Sequence, residues 1–223
     1  MFMSKIIVLI GAPGAGKGTQ ARLLEASLNI PQISTGDMFR EIQKADTELA
    51  REVRGILESG KLVTDDLTYQ IVKERTARGD CKGTYILDGF PRTPKQAEML
   101  EELASEQGMA INTVLIDVPV ESLEKRLIGR RNCPVCGEIY NIYYKKPKVE
   151  GFCDNHPETA LNHRADDTSE RVKVRLETYE ENTKPLLEYY EKSGRLKKLD
   201  GMRDSQEIYK ELESLVAANN VTA

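Results

Sequence analysis

Short apolar runs stopped by glycine or proline alternate along this chain with longer stretches whose apolar residues recur at helical spacing. Lys5 to Ile10 is a continuous apolar run ending at Gly11, the pattern of a strand buried on both faces. A glycine-rich loop follows over Gly11 to Gly18, and Leu23, Leu24 and Leu28 predict a helix over Thr19 to Leu28. Pro31 to Ser34 predicts a short strand, and Asp37 to Glu58 reads as one polar helical stretch ending at Ser59-Gly60. Thr64 or Asp65 can cap a helix carrying Leu67, Ile71 and Val72. Tyr85-Ile86-Leu87 is a short strand ending in Asp88-Gly89, and Pro94 opens a helix to Glu106. Ile111 to Val118 is another strand, stopped by Pro119 and followed by a helix from Val120 to about Arg130. A helix over Thr168 to Glu191, bent at Pro185, then a strand over Arg195 to Leu199 and a helix over Ser205 to Ala217 complete the pattern.

This alternation predicts an α/β, three-layer fold with a central parallel sheet covered on both sides. Residues 132–163 break the rhythm. They hold cysteines, prolines, glycines and the alternating run Ile139-Tyr140-Asn141-Ile142-Tyr143, and read as a small module inserted into the α/β domain. The alternating Tyr and Ile suggest the packed face of a hairpin. The net charge of -4, from 36 acids and 32 bases, argues against a nucleic-acid or acidic-membrane partner. No stretch approaches the roughly 20 apolar residues of a membrane helix, and the leading apolar run is too short for a signal peptide. The expected location is therefore the cytoplasm.

Gly11-Ala12-Pro13-Gly14-Ala15-Gly16-Lys17-Gly18-Thr19 fits G-x-x-x-x-G-K directly between a strand and a helix, the signature of a phosphate-binding loop (P-loop). Glycines let successive N–H groups turn toward one point, and the helix N-terminus adds partial positive charge there. Lys17 can then reach the outer phosphates as a mobile charge. Gly18 stands where a Ser or Thr is usual, so the hydroxyl comes one place later, at Thr19. Asp88, at a strand's carboxyl end, can hold Mg²⁺ through water.

The phosphate loop, Ser34-Thr35-Gly36-Asp37, Asp88-Gly89-Phe90-Pro91-Arg92-Thr93, Gly129-Arg130-Arg131 and Arg164-Ala165-Asp166-Asp167 occur in that order. Together they resemble the adenylate kinases with a long lid, from about Lys5 to Gly201. The resemblance implies phosphoryl transfer between ATP and AMP with Mg²⁺, and commonly a monomer. It implies a core over 1–33, 64–125 and 168–223, a helical AMP-binding segment over 34–63, and a lid over 126–167. Gly14, Ala15, Gly16, Lys17, Gly18, Thr19, Arg126 and Arg130 would then bind ATP. Thr35, Arg40, Gly89, Arg92, Gln96, Arg164 and Arg175 would bind AMP. Lys17, Asp88, Arg92, Arg126, Arg130, Arg164 and Arg175 would carry catalysis.

The residues themselves point the same way. Arg126 and Arg130 are four apart on a predicted helix and share a face, and arginine's planar fork suits phosphate oxygens. A phosphate acceptor is already anionic and needs positive charge rather than a general base. Other nucleotides remain open as acceptor (UMP, CMP) or donor (GTP), with Gln96 and the loop after Asp200-Gly201 the places to look.

Cys133-Pro134-Val135-Cys136 and Cys153-Asp154-Asn155-His156 form two C-x-x-[CH] hooks sixteen residues apart, the spacing of a structural Zn²⁺ site. Cys133, Cys136, Cys153 and His156 are the expected ligands, with Asp154 and His163 competing for the fourth place. Such a metal would fold a module too small for its own core. Cys81 stands apart as an ordinary thiol. A reading from another class makes the module a nucleic-acid-binding ribbon, with Tyr140, Tyr143, Tyr144, Lys145, Lys146 and Lys148 its contact surface. The acidic net charge weighs against it.

Overall fold

The computed structural model describes residues 4–218; Met1-Phe2-Met3 and residues 219–223 lie outside the described part. Five parallel strands form the sheet in the order β2-β3-β1-β4-β7. They are β1 (Lys5–Ile10), β2 (Gln32–Ser34), β3 (Tyr85–Asp88), β4 (Ala110–Asp117) and β7 (Leu196–Asp200). All six residues of central β1 are buried, as expected of a strand covered on both faces. Because side chains alternate across a strand, Ile6, Val8 and Ile10 enter one core and Ile7 and Leu9 the other.

The first core meets α4 (Asp65–Thr76) through Val72, α5 (Pro94–Gln107) through Leu100 and Leu103, and α8 (Pro185–Lys192) through Leu186 and Tyr190. The second meets α1 (Lys17–Leu28) through Ala21 and Leu24, and α9 (Ser205–Ala218) through Ile208 and Leu212. Helix, sheet, helix is the three-layer arrangement the alternating pattern predicts.

The stretch from Asp37 to Glu58 is two helices, α2 (Thr35–Ile42) and α3 (Glu48–Ser59), rather than one. The break has a local cause: Thr47 is extended, and its hydroxyl accepts the Ala50 N–H at 3.1 Å, a side-chain cap that starts a new helix. These helices enclose a small core of Phe39, Val53 and Val63. The predicted helix over Thr168 to Glu191 is also interrupted. α7 (Ser169–Thr178) passes into a π turn over Tyr179–Thr183 before α8 begins at Pro185. Proline has no N–H, and its ring collides with the carbonyl four residues back, so the turn before it widens. The Lys184 N–H donates to the Tyr179 carbonyl at 2.9 Å, five residues back.

α6 (Val120–Ile128) leads into the inserted module, where β5 (Arg130–Asn132) and β6 (Ile139–Asn141) form an antiparallel hairpin. The alternating run is strand only over its first three residues, with the Ile142 N–H still donating to the Gly129 carbonyl at 2.9 Å. Beyond them the Asn141 side-chain carbonyl accepts the N–H groups of Tyr143 and Tyr144 and turns the chain. Among the described residues, no helix is long and apolar enough to cross a membrane.

Candidate functional site

Ligands of open α/β sheets bind outside the carboxyl ends of the strands, where chain connections leave in opposite directions. Here a cleft of about 1050 Å³ opens at that edge, between the sheet and the inserted module. β1 delivers the glycine loop to it. Gly14 and Gly16 have φ of +85° and +103°, a left-handed backbone that lets the loop curl ahead of α1. In the first turn of α1 the Thr19 and Gln20 N–H groups donate to the Gly16 carbonyl at 3.0 and 3.1 Å, so the Lys17 and Gly18 N–H groups ahead of them are the ones left for an anion. Lys17 Nζ donates to the Gly11 and Ala12 carbonyls at 2.7 and 3.1 Å. A Cβ added to Gly18 would lie 3.3 Å from Asp88 Oδ2, so glycine after the lysine leaves room for this carboxylate. Gln32 donates to the same oxygen at 3.3 Å.

β2 and β3 end in the second group. The Thr35 hydroxyl and Arg92 Nε both donate to the Gly89 carbonyl, each at 2.9 Å. Gly89 has φ of +88°, and an added Cβ would lie 2.7 Å from the Thr35 hydroxyl, so only glycine fits this junction. The Arg92 N–H donates to Gln96 Oε1 at 2.8 Å, and Gln96 Nε2 donates to Asp65 at 2.8 Å. The Thr183 hydroxyl, presented by the π turn, donates to the Arg92 carbonyl at 3.0 Å. Three elements therefore fix one arginine. Across from it, Arg40 lies over Gly36 and pairs with Asp37 at 2.6 Å.

The third group joins the inserted module to α7. Arg130 grips Asp167 with both arms, at 2.8 and 2.6 Å, and Arg175 donates to Asp167 at 2.8 Å. The Asp167 side chain is completely buried, and leaving such a charge unpaired costs about 3–5 kcal/mol. Asp167 thus orders two guanidinium groups at once. Arg164 Nε donates to Asn132 at 3.0 Å, and Arg126 Nη2 donates to the Gly201 carbonyl at 3.0 Å.

Positive charge dominates. Burial and the Arg130 and Arg40 charges push the Arg164 pKa down to about 9. Burial likewise lowers Lys17 to about 8; Asp88 opposes that shift and Arg92, Arg175 and Arg130 add to it. Burial opposes ionisation of Asp166, but the field of Arg175 and Arg130 holds its carboxyl below the usual range. Such crowded cations are relieved by a polyanion.

Most of the residues singled out in the sequence line this one cleft: Gly14, Ala15, Gly16, Lys17, Gly18, Thr19, Arg40, Asp88, Gly89, Arg92, Arg126, Arg130, Arg164 and Arg175. Thr35 and Gln96 stand behind it, each 2% exposed and holding the Gly89–Arg92 turn. Sequence reasoning gave Asp65 only a possible helix cap and Asp167 only a place in the Arg164-Ala165-Asp166-Asp167 motif, and gave Thr183 no role. No spacing marks them as anchors, and the signal for that role was a surplus of arginines needing partners.

In the inserted module Cys133, Cys136, Cys153 and His156 bring their ligand atoms within 4.8 Å of one another. Cys136 and Cys153 sulfurs are 3.7 Å apart, and His156 Nδ1 lies 3.9 and 3.8 Å from those of Cys133 and Cys153. A tetrahedron with Zn–S bonds of about 2.3 Å has edges of about 3.8 Å, so this donor set fits Zn²⁺. Asp154 is engaged elsewhere, accepting the Lys148 N–H at 2.7 Å, and His163 stands outside the cluster. The Tyr140 hydroxyl lies 3.6 Å from Cys153 sulfur and accepts the Asp154 N–H at 2.9 Å, fixing the second hook.

A family profile described as Adenylate kinase matches residues 9–195. A protein of Oceanobacillus iheyensis named Adenylate kinase is 47% identical over 211 residues, covering 94% of this chain and 98% of the relative. Proteins of the same name from Thermodesulfovibrio yellowstonii and Bacillus subtilis are 47% and 44% identical, covering 91% and 94% of this chain and 94% and 97% of their own lengths.

Proposed function

The chain belongs to the adenylate kinase family, enzymes that reversibly transfer a phosphoryl group from ATP, with Mg²⁺, to AMP and give two ADP, and we propose that its cleft cations carry that transfer. The observation behind this reading is the convergence of Lys17, Arg40, Arg92, Arg126, Arg130, Arg164 and Arg175 around one cleft. Two polyanions must meet there, and the transfer state spreads charge over equatorial oxygens. Fixed cations in a cleft that excludes water stabilise that charge without reorganising.

The phosphate loop and Lys17 hold the donor phosphates, with Arg126 and Arg130 on the donor's far side. Arg40 and Arg92 receive the acceptor phosphate, and Arg164 and Arg175 close on the phosphoryl group between them. Gln96 and Thr35 act by positioning the Arg92 turn. Mg²⁺ arrives with ATP and neutralises phosphate oxygens; Asp88, beside the space at Gly18, suits its hydration shell. Residues 34–63 form the acceptor segment and 126–167 the lid, carried on the core of 1–33, 64–125 and 168–223. Separate packing of Phe39, Val53 and Val63, and of Cys133, Tyr140 and Cys153, supports this division. Zn²⁺ held by Cys133, Cys136, Cys153 and His156 would be structural, because four protein ligands close its shell. One chain supplies every charge in the cleft, so a monomer is sufficient. The free cysteines suit the reducing cytoplasm.

The test is ADP formation from Mg-ATP with AMP, UMP, CMP or GMP as acceptor. Rapid ADP formation only with AMP is expected. Equal transfer to another monophosphate overturns the base assignment, and folded, metal-loaded protein without acceptor-dependent transfer overturns the whole reading.

A further inference from the structure

One cation at the cleft has no place in the transfer chemistry. Arg22 lies on α1, three residues after Thr19, and lines the cleft beside Cys136. Its guanidinium presses on the first metal-binding hook: the Nη2, Nη1 and Cζ atoms lie 2.8, 2.9 and 3.0 Å from where a Cβ on Gly137 would stand. Gly137 has φ of +69°, and its N–H donates to the Cys133 carbonyl at 2.9 Å, closing the hook. Arg22 Nη1 is buried and has no hydrogen-bond partner among the described residues. A guanidinium in that position costs free energy unless something compensates its charge.

The hook supplies the compensation. A divalent ion held by three thiolates and a neutral imidazole carries one net negative charge, and Arg22 meets that centre across the Gly137 backbone. We propose that Arg22 is a positioning residue that latches the lid: its charge attracts the loaded Cys₃His centre and holds the lid against α1. The contact joins the phosphate-loop helix to the metal hook, two parts of the chain 115 positions apart. Glycine at 137 is what permits the approach, since any side chain there would displace the guanidinium. Metal occupancy then affects closure electrostatically as well as by folding the lid. The inference rests on the lid closing over ATP, as proposed above.

The test follows zinc transfer from the loaded enzyme to a chromophoric chelator, with and without diadenosine pentaphosphate, which spans both nucleotide sites. In wild type the inhibitor should slow zinc release, because the closed lid covers the hook. Arg22→Met should release zinc about two- to fivefold faster than wild type with inhibitor present, the size of one partly screened charge contact, and at the wild-type rate without it. Arg22→Lys should recover most of the protection. Equal protection in Arg22→Met and wild type overturns the latch and leaves the closing lid intact. A higher KM for ATP in Arg22→Met with unchanged zinc release would make Arg22 a nucleotide contact, which also overturns it. A wild-type release rate that ignores the inhibitor removes closing lid and latch together.

Discussion

On one side of the cleft, the phosphate loop leaves β1, a strand buried along its whole length between two cores, and runs into α1, which packs on the sheet through Ala21 and Leu24. On the other side, the β5–β6 hairpin belongs to a module whose buried apolar cluster is Cys133, Tyr140 and Cys153, with Leu161 beside them. Most of its other large apolar residues face outward, Val135 and Val149 being 63% and 62% exposed, while Ile139 is half-buried. The first side is placed by hydrophobic burial spread over many residues, worth about 25 cal/mol per Å². The second depends on four ligand atoms and on the ion they suit. Distributed burial gives a rigid reference surface, whereas a small metal-closed module can keep its own shape while moving as a body. The cleft lies where these two sides meet.

The sharpest way to break this comparison is to damage chemistry on the rigid side and look for damage to the fold. Arg92→Ala should lower kcat by about 10²–10³-fold, the cost of losing a fixed charge at the transfer state. Its Nε bond to the Gly89 carbonyl is also lost, but Thr35 still donates there and Gln96 still holds the turn's backbone only through residue 92's N–H. The melting temperature should therefore stay close to wild type while steady-state turnover collapses. Near-normal turnover in a folded variant would remove Arg92 from the transfer.

The same division explains what could be read from the sequence. β1, the phosphate loop and the two hooks were legible because each rests on local chemistry: apolar runs, glycine spacing, ligand spacing. The break between α2 and α3 was missed because one capping threonine, Thr47, outweighs a continuing helical pattern. The π turn was read only as a bend at Pro185, yet it delivers the Thr183 hydroxyl to the Arg92 carbonyl. The anchoring roles of Asp167 and Asp65 were missed, although the first stood in a quoted motif and the second as a possible cap, because those roles come from partners far along the chain. Asp167 reaches back to Arg130, and Asp65 holds Thr93 and Gln96. The arginines pointed to an anion site; only the fold shows which carboxylates hold those arginines in place.

Removing the metal sharpens the comparison from the movable side. Structural zinc in small modules contributes about 10–16 kcal/mol of apparent binding free energy at neutral pH, far more than this module's few buried residues can replace. Chelation should abolish hydrogen-exchange protection over β5, β6 and the Cys153 hook, while β1, β3 and β4 keep theirs. Turnover should fall with the lid, but by less than in Arg92→Ala, because the core charges remain in place. Loss of protection throughout the sheet would show that the two halves fold as one unit. Unchanged protection and turnover would show that the lid holds its shape without metal.

The smallest effect sits where the two halves meet, at Lys17. Its pKa is lowered to about 8, first by burial and then by Arg92, Arg175 and Arg130, against the pull of Asp88. ATP phosphates favour the charged amine, so ATP should bind best below that pKa and weaken as pH rises through it, by about tenfold at pH 9 if only the charged form binds. Binding above pH 8 should also take up a proton, readable as a calorimetric heat that changes with the ionisation enthalpy of the buffer. Lid removal adds a second test. Chelation takes Arg130 away from the cleft and lets water in, and both changes favour the charged amine. The midpoint of the binding profile should move upward in chelated protein, though only partly toward the value of a free lysine, because Arg92 and Arg175 belong to the rigid side and stay. A midpoint that does not move would mean the phosphate loop sets its electrostatics alone and the movable half contributes geometry without charge.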